Sequence, residues 1–477
     1  MAFQVSPGVL VQERDLTNII PAVSTSIGAV AGQFSKGPID EIVSISSEQE
    51  LVDTFGKPDS TNFEHFFTAA NFLQYSNALR VVRAQNTSVL NASTSGTGVL
   101  IKNTEDYENN YSTGQGSVGS FAARTAGAHG NSLQVSTCPS ATAYESISTS
   151  LVDTAAAAVG DTIVTTDESD VFNVGDIIQF STTASTDDYD DGDFYRVTAI
   201  AASGETLEFV QHPRGAGGLK RAIVDDSKIK RRWRYYDSVD RAPGTTAWTA
   251  DRGGSGDEIH VVVVDQDGVI SGEPGRVIEA FSNMSKASDA KTPQGDNNYY
   301  ADVIFNKSSQ IYWMDHNTAG TNWGSAATGI TFTAVNVPTL ESLAGGAAGS
   351  AVTDGQLKTA YEKFQDAETV DVGLIMAGPS SSSTHVDNLI TIAETRKDAV
   401  VFASPQRSDV VNVTNSNTQM SNVIGFFNAI RSSSYVVFDS GYKYQYDRYS
   451  DIYRFVPLNG DMAGLSARTD TVADSWF

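Results

Sequence analysis

Apolar and polar positions along this chain follow two rhythms, and the places where one yields to the other divide it. Phe63, Phe66, Phe67, Ala70 and Leu73 fall at helical spacing and form one apolar stripe. Just before them Ile45 precedes Ser46 and Ser47, with Gln49 and Glu50 three residues on from each serine. That is a capping-box pattern with Ile45 placed to staple it, so a helix is predicted to about Phe55, ended by Gly56 with Pro58 beyond. Gly28–Gly32 is a short apolar run that begins a buried strand, and Leu79–Ala84 reads as a further strand. Towards the other end, Asp371–Ala377, Ala399–Phe402 and Tyr435–Phe438 read as strands, alternating with helices over Thr384–Thr395 and Gln419–Arg431. Strand and helix in alternation predict a βαβ sheet, mostly parallel.

The chain between these halves has a different texture, rich in Gly, Ser, Thr and Asp with short alternating strands. One domain inserted inside another is the natural reading. The fold class expected is α+β multidomain: an α/β core of 24–85 plus 351–477, a middle α+β or sandwich-like insertion of 86–145 plus 245–350, and an outermost all-β, barrel-like module of 146–244. The middle layer is expected to hold strands at Ser132–Ser136 and Ile259–Val264 and a helix from about Arg276 to Met284. Val174–Phe180, Phe194–Ile200 and Thr206–Val210 are the strands of the outer module, while 344–350 and 412–418 read as loops.

The N-terminal end carries a candidate contact segment. Residues 1–23 read as an extended arm, because Val5, Val9 and Val11 alternate with polar positions and Pro7 and Pro21 oppose helix. Phe3, Val5, Val9 and Val11 are its candidate pairing residues. Near the other end Tyr442, Tyr444 and Tyr446 share one parity, which a pleated strand places on one face. The segment reads as a core strand with an aromatic face, running on into Asp447, Arg448 and Tyr449 and followed by a loop with Pro457 and Gly460.

Charge changes the functional picture more than composition does. A formal net charge of −25 over 477 residues opposes a primary nucleic-acid role, which needs clustered Lys and Arg. One basic tract departs from it: Lys228, Lys230, Arg231, Arg232 and Arg234 surround Trp233, Tyr235 and Tyr236. Such interleaving can bind nucleic acid or an anionic glycan. The favoured alternative is a strand whose charges face acidic neighbours in this chain or the next subunit. No apolar run is long enough to span a membrane, and the N-terminus lacks a basic start and an apolar signal core.

Reaction chemistry is sparse. Cys138 stands alone, so no internal disulfide framework exists, and it reads as a small apolar strand residue. The histidines share no metal-ligand spacing, and His260 reads as a strand-start residue. Gly114–Gly119 has dinucleotide-fingerprint spacing without the flanking strand and helix, so it reads as a loop. The acidic run Asp187–Asp193 fails the calcium-loop register and reads as a solvated hairpin tip. Ser380–Ser383 reads as a loop feeding a helix N-cap, not as a nucleophile. No catalytic, cofactor or metal residues are nominated, and the chain reads as no enzyme.

The tract from Phe438 through Gly460 to Asp470 closely resembles the contractile tail sheath proteins of bacteriophages. Pro7–Asp15 with Thr25–Pro38 resembles the family's arm and first core strand; Gly127–Val135, Asp257–Gly275 and Ala287–Ile304 resemble its central domain. These regions stand in the family's order. The resemblance implies a structural subunit with no cofactor, a homo-oligomer of hexameric rings stacked helically around a tail tube. Its partners would be the tube protein, baseplate and tail terminator proteins, with no nucleic acid and no direct membrane insertion. It implies assembly in the host cytoplasm, residence in the virion, and contraction that drives the tube through the host envelope. It further implies an N-terminal arm that pairs with a neighbour, and a C-terminal domain beyond the Ala467–Asp470 tract that this sequence lacks, so that the chain alone is expected to fold without polymerising. A phage-like injection device, a bacteriocin or secretion machine, shares all these features. A glycan-binding surface protein is the alternative of another class and requires an exposed aromatic platform within 146–244.

Overall fold

The computed structural model describes residues 27–153, 157–167, 171–201 and 205–473, and the arm residues Phe3, Val5, Val9 and Val11 lie outside them. The architecture is mixed α+β with several separate sheets.

The central sheet has six strands, in the order Ile42–Ile45, Leu79–Arg83, Gly28–Gly32, Leu374–Met376, Val400–Ala403 and Val436–Phe438. All pairs are parallel except the first, Ile42–Ile45 against Leu79–Arg83. Strands from both ends of the chain therefore share one sheet. Alternate side chains enter two cores: Ala29, Ala31, Val82, Ile375 and Val401 on one face, Val30, Val81, Leu374, Met376 and Phe402 on the other. A parallel sheet must be covered on both faces, and helices do this. Glu48–Phe55, Phe63–Leu73 and Asn459–Val472 cover one side; Asp354–Tyr361, Ser383–Arg396 and Ser416–Asn428 cover the other.

Local signals explain most of these boundaries. Ser47 accepts from the Glu50 amide at 3.2 Å while the Glu50 carboxylate accepts from the Ser46 amide at 2.8 Å, and Gly56 ends the helix at φ 85°. Ser382 caps the next long helix through the His385 amide at 3.1 Å. The helix Asp354–Tyr361, absent from the sequence reading, starts on a complete capping box of Thr353 and Gln356.

Four corrections concern secondary structure and exposure. Arg276–Ser285 is a strand, not a helix: it pairs antiparallel with Glu258–Asp265 in a sheet completed by Leu133–Cys138 and Thr339–Ser342. Bulges at Ile259/Val261 and Val263/Val264 shift its register, and the resulting break in alternation imitates helical spacing. Asn459–Val472 is a helix, so Gly460 lies inside an element and not in a loop. Residues 416–418 belong to the helix Ser416–Asn428, and Ala347–Ala348 within 344–350 pairs with Val89–Leu90. Finally, Tyr442–Asp447 is a strand but not a core strand, because Tyr444 is 62% and Tyr446 is 46% exposed.

The third large sheet is antiparallel, in the order Glu145–Leu151, Ser227–Arg232, Ile177–Ala184, Tyr195–Ile200, Thr206–Gln211 and Ile163–Thr165. Among the described residues its two edges are joined only by a single bridge, Val152 to Thr166. It is therefore a curled open sheet around Phe180, Tyr195, Leu207 and Phe209, not a closed barrel.

Candidate self-assembly surface

The strands Tyr442–Asp447 and Ile452–Pro457 form a two-stranded antiparallel hairpin with Tyr442 opposite Pro457, Tyr444 opposite Phe455 and Tyr446 opposite Tyr453. Period-two alternation puts all six residues on one face. The rings form a ladder: Tyr444 stacks on Tyr453 at 5.1 Å and meets Phe455 at 4.7 Å, while Tyr446 meets Tyr453 at 5.3 Å. The outer end of this face is exposed, with Tyr453 at 59%. Cross-strand aromatic pairs stabilise such a ribbon, and an aromatic patch left in water marks an interaction surface.

The opposite face anchors the hairpin. Val456 enters the core beside Ala463 and Phe66. Buried Asp447 accepts from Arg454 Nε at 2.8 Å and from the Tyr449 amide at 2.9 Å. Burial opposes its charge, but these bonds outweigh it and hold the carboxyl below the usual range. Arg454 lies 4.5 Å from the Phe63 ring centre, and Tyr449 meets Phe66 edge-on at 5.6 Å. Arg448 and the Tyr449 hydroxyl both bond Glu48, at 2.9 and 2.8 Å, tying the hairpin tip to the first helix. The tyrosine face is thus held rigidly outward.

A second open margin lies just before the hairpin. Val436–Phe438 is the edge strand of the central sheet, and Val437 and Phe438 are exposed. The adjoining helix Ser416–Asn428 adds exposed Met420 and Ile424, and Phe427 stacks on Phe438 at 4.3 Å. An apolar parallel edge is a ready template for another strand.

The basic tract is accounted for within the third large sheet and its surroundings. Lys228 pairs with Asp187 at 2.9 Å, Lys230 and Arg232 with Glu145, and buried Arg231 faces buried Asp176 at 3.8 Å. Trp233 and Tyr235 are buried and offer no aromatic platform. The acidic run is braced as well: Asp193 meets Lys220 at 3.2 Å, and Arg221 meets Asp190 at 3.3 Å. The sequence reading foresaw neither set of partners, because residues far apart in the chain supply them.

Side chains of reactive type sit in structural roles. Among the described residues no group of three or more His, Cys, Asp or Glu is placed to hold a metal ion. Burial drives His65 down to about 3, and His385, also lowered by burial, bonds the Ala377 carbonyl at 3.0 Å. His260 is fully buried in the Glu258–Asp265 strand, and Cys138 is a buried strand residue. Gly116–Val118 forms a single 3-10 turn with no preceding strand.

Known proteins are similar to this chain along its whole length. The family model for the tail sheath protein Gp18 domain III N-terminal region matches residues 25–84. The tail sheath protein of Enterobacteria phage T4 is 26% identical over 505 residues, covering 99% of this chain and 74% of that protein. The tail sheath protein of Vibrio phage KVP40 is 25% identical over 541 residues, again with 99% and 74% coverage. A solved sheath tail protein from Listeria innocua aligns with 93% of this chain and 56% of its own at a TM-score of 0.39 and 9% identity, a likeness too slight to argue from.

Proposed function

Taking the chain as a member of the contractile-phage tail sheath family, we propose that it is a structural subunit of the virion tail whose work is done against copies of itself. Copies assemble in the host cytoplasm as hexameric rings, stack helically around the tail tube between baseplate and tail terminator, and contract to drive the tube through the host envelope. The observation that carries this reading is the rigid, outward-facing tyrosine ladder beside an apolar sheet edge that is unpaired among the described residues. Both features suit burial between subunits.

The arm supplies the connection. Phe3, Val5, Val9 and Val11 alternate, so one face of an added strand would be apolar, and main-chain hydrogen bonds would join it to a neighbour. Subunits linked by such strands rotate as rigid bodies while staying attached. Contraction then runs from a kinetically trapped extended state towards greater intersubunit burial, without nucleotide. In the nested division the core of 24–85 plus 351–477 carries these contacts, 86–145 plus 245–350 forms the middle and 146–244 faces outward. The sharing of one sheet by strands from both chain ends supports that division.

Removing residues 2–20 from the sheath protein of an assembling tail tests the arm by electron microscopy. Loss of regular striated sheaths is expected; normal, contractile sheaths would exclude this role. An injection-device sheath would be built in the same way, but the relatives named above are phage proteins, which favours the phage tail.

A further inference from the structure

A cavity of about 620 Å³, which shares no residue with the hairpin, has walls of Tyr107, Tyr299, Phe305, Trp313 and Trp323. Its size falls in the range of small-ligand sites. The polar ends of these rings are largely committed inside the protein. Tyr107 donates to the Trp313 carbonyl at 2.5 Å, Trp313 Nε1 donates to Tyr300 at 3.0 Å, and Tyr300 bonds His316 Nδ1 at 2.7 Å. Ser112, Thr113 and Ser325 line the space as well, so the walls offer π surface and hydrogen-bonding groups side by side.

Charge then selects the ligand. Glu108 and Asp302 line the cavity, no Lys or Arg does, and neither carboxylate has an ion-pair partner among the described residues. Asn297 holds one oxygen of Asp302 at 2.6 Å and fixes its position without neutralising it. His316 also lines the space, and its pKa, lowered chiefly by burial, leaves it uncharged at neutral pH. The ring cluster already receives two cations of the chain itself: Arg124 lies 5.8 Å from the Phe305 centre and Lys286 5.1 Å from that of Trp323. Neither lines the cavity. Aromatic walls accompanied by uncompensated carboxylates are the chemistry that holds organic cations.

We propose that this cavity binds a small organic cation, an alkylammonium or guanidinium group, between the aromatic walls and the carboxylates of Glu108 and Asp302. The site shares no residue with the hairpin, and the proposal does not rest on the assembly role.

Choline and its uncharged isostere 3,3-dimethylbutan-1-ol test it, titrated at constant ionic strength against the whole chain. Tryptophan fluorescence serves as readout, because Trp313 and Trp323 form part of the wall. Choline should saturate the signal and bind at least about tenfold more tightly than the isostere. The double variant Glu108→Gln/Asp302→Asn should weaken choline by about tenfold and leave the isostere unchanged. Trp323→Ala should remove both, and a thermal scan identifies it if it misfolds, in which case the double variant decides. Absent saturation, equal affinity for the two probes, or undiminished choline binding in the double variant would overturn the proposal. Adding saturating choline during sheath assembly then distinguishes the cation's source. Slowed assembly in the parent and not in the double variant assigns a basic side chain of another copy; unchanged assembly assigns a free small molecule. Either result upholds the cation site.

Discussion

Gly460 opens the helix Asn459–Val472, and a Cβ built on it would lie 2.4 Å from the Thr68 carbonyl oxygen and 3.1 Å from that residue's carbonyl carbon and Cα. All three atoms are backbone, so Gly460→Ala cannot be relieved by a rotamer change. An ordinary carbon–oxygen contact is about 3.3–3.6 Å, so the helix must withdraw from Phe63–Leu73 by about 1 Å. That movement strains Asn459, whose side chain bonds the Gly378 carbonyl at 2.8 Å and Ser404 Oγ at 3.0 Å. Overpacking of this kind costs about 1–3 kcal/mol, which corresponds to roughly five- to 150-fold more frequent local opening. Gly425 provides the matched control: it is an exposed glycine within the helix Ser416–Asn428, with nothing within 4 Å of its added Cβ. There the same substitution should stabilise by about 0.5–1 kcal/mol through helix propensity alone. Amide hydrogen exchange reads both changes locally, which matters in a chain with several cores. Faster exchange over 63–73 and 459–472 in Gly460→Ala, and slower exchange over 416–428 in Gly425→Ala, are expected. If the two variants move in the same direction, the close-packing argument is wrong.

Three further outcomes follow from the structure. Lys397 ends the helix Ser383–Arg396 in the left-handed region at φ 67°, so Lys397→Gly should stabilise that helix by about 0.5–1 kcal/mol, seen as slower exchange over 383–396. Asp176 is pushed up to about 6, chiefly by burial, with Arg231 and hydrogen bonds opposing. Between the ordinary carboxylate value and about 6 the folded state keeps a proton that the unfolded chain has released, so the third large sheet should gain stability as pH falls from 7 through 6 and level off near 4. Subtracting the thermal-melting profile of Asp176→Asn from that of the parent isolates this limb, and a flat difference would contradict the assignment. Tyr444→Ser/Tyr453→Ser should change folding stability by no more than about 1 kcal/mol per site, the worth of a cross-strand aromatic pair, since both rings are otherwise largely exposed. It should weaken subunit association by about 1–3 kcal/mol per ring, read by sedimentation of assembling sheaths.

Much of the central sheet was legible because its signals are local. Gly28–Gly32 is an apolar run, Leu79–Arg83 is a short run centred on the β-branched Val81 and Val82, and Ser46, Ser47 and Glu50 announce the first helix by their spacing. The strand Arg276–Ser285 was not legible, because its pattern depends on bulges set by a partner strand. The tyrosines show the sharpest limit. Alternation correctly joined Tyr442, Tyr444 and Tyr446 on one face, yet parity says nothing about which side of the ribbon meets water. Only the buried Asp447–Arg454 pair and Val456 on the opposite face decide that the rings point outward. The ion pairs of Lys228, Lys230 and Arg232 were foreseen in kind but not in partner, since Asp187 and Glu145 come from other strands and loops. The arm residues Phe3, Val5, Val9 and Val11 lie outside the described residues, and their role rests on sequence pattern alone.

The central claim is that the tyrosine ladder lies between copies of this chain. A photo-crosslinking phenylalanine analogue placed at Tyr444, in sheaths assembled within phage-producing cells, addresses it most directly. The same probe at exposed Val269 serves as control. Irradiation should give covalent sheath–sheath dimers from position 444 in assembled tails and none from unassembled subunits. Normal sheaths whose position-444 probe forms no sheath–sheath product, or no more than position 269 does, would contradict the account.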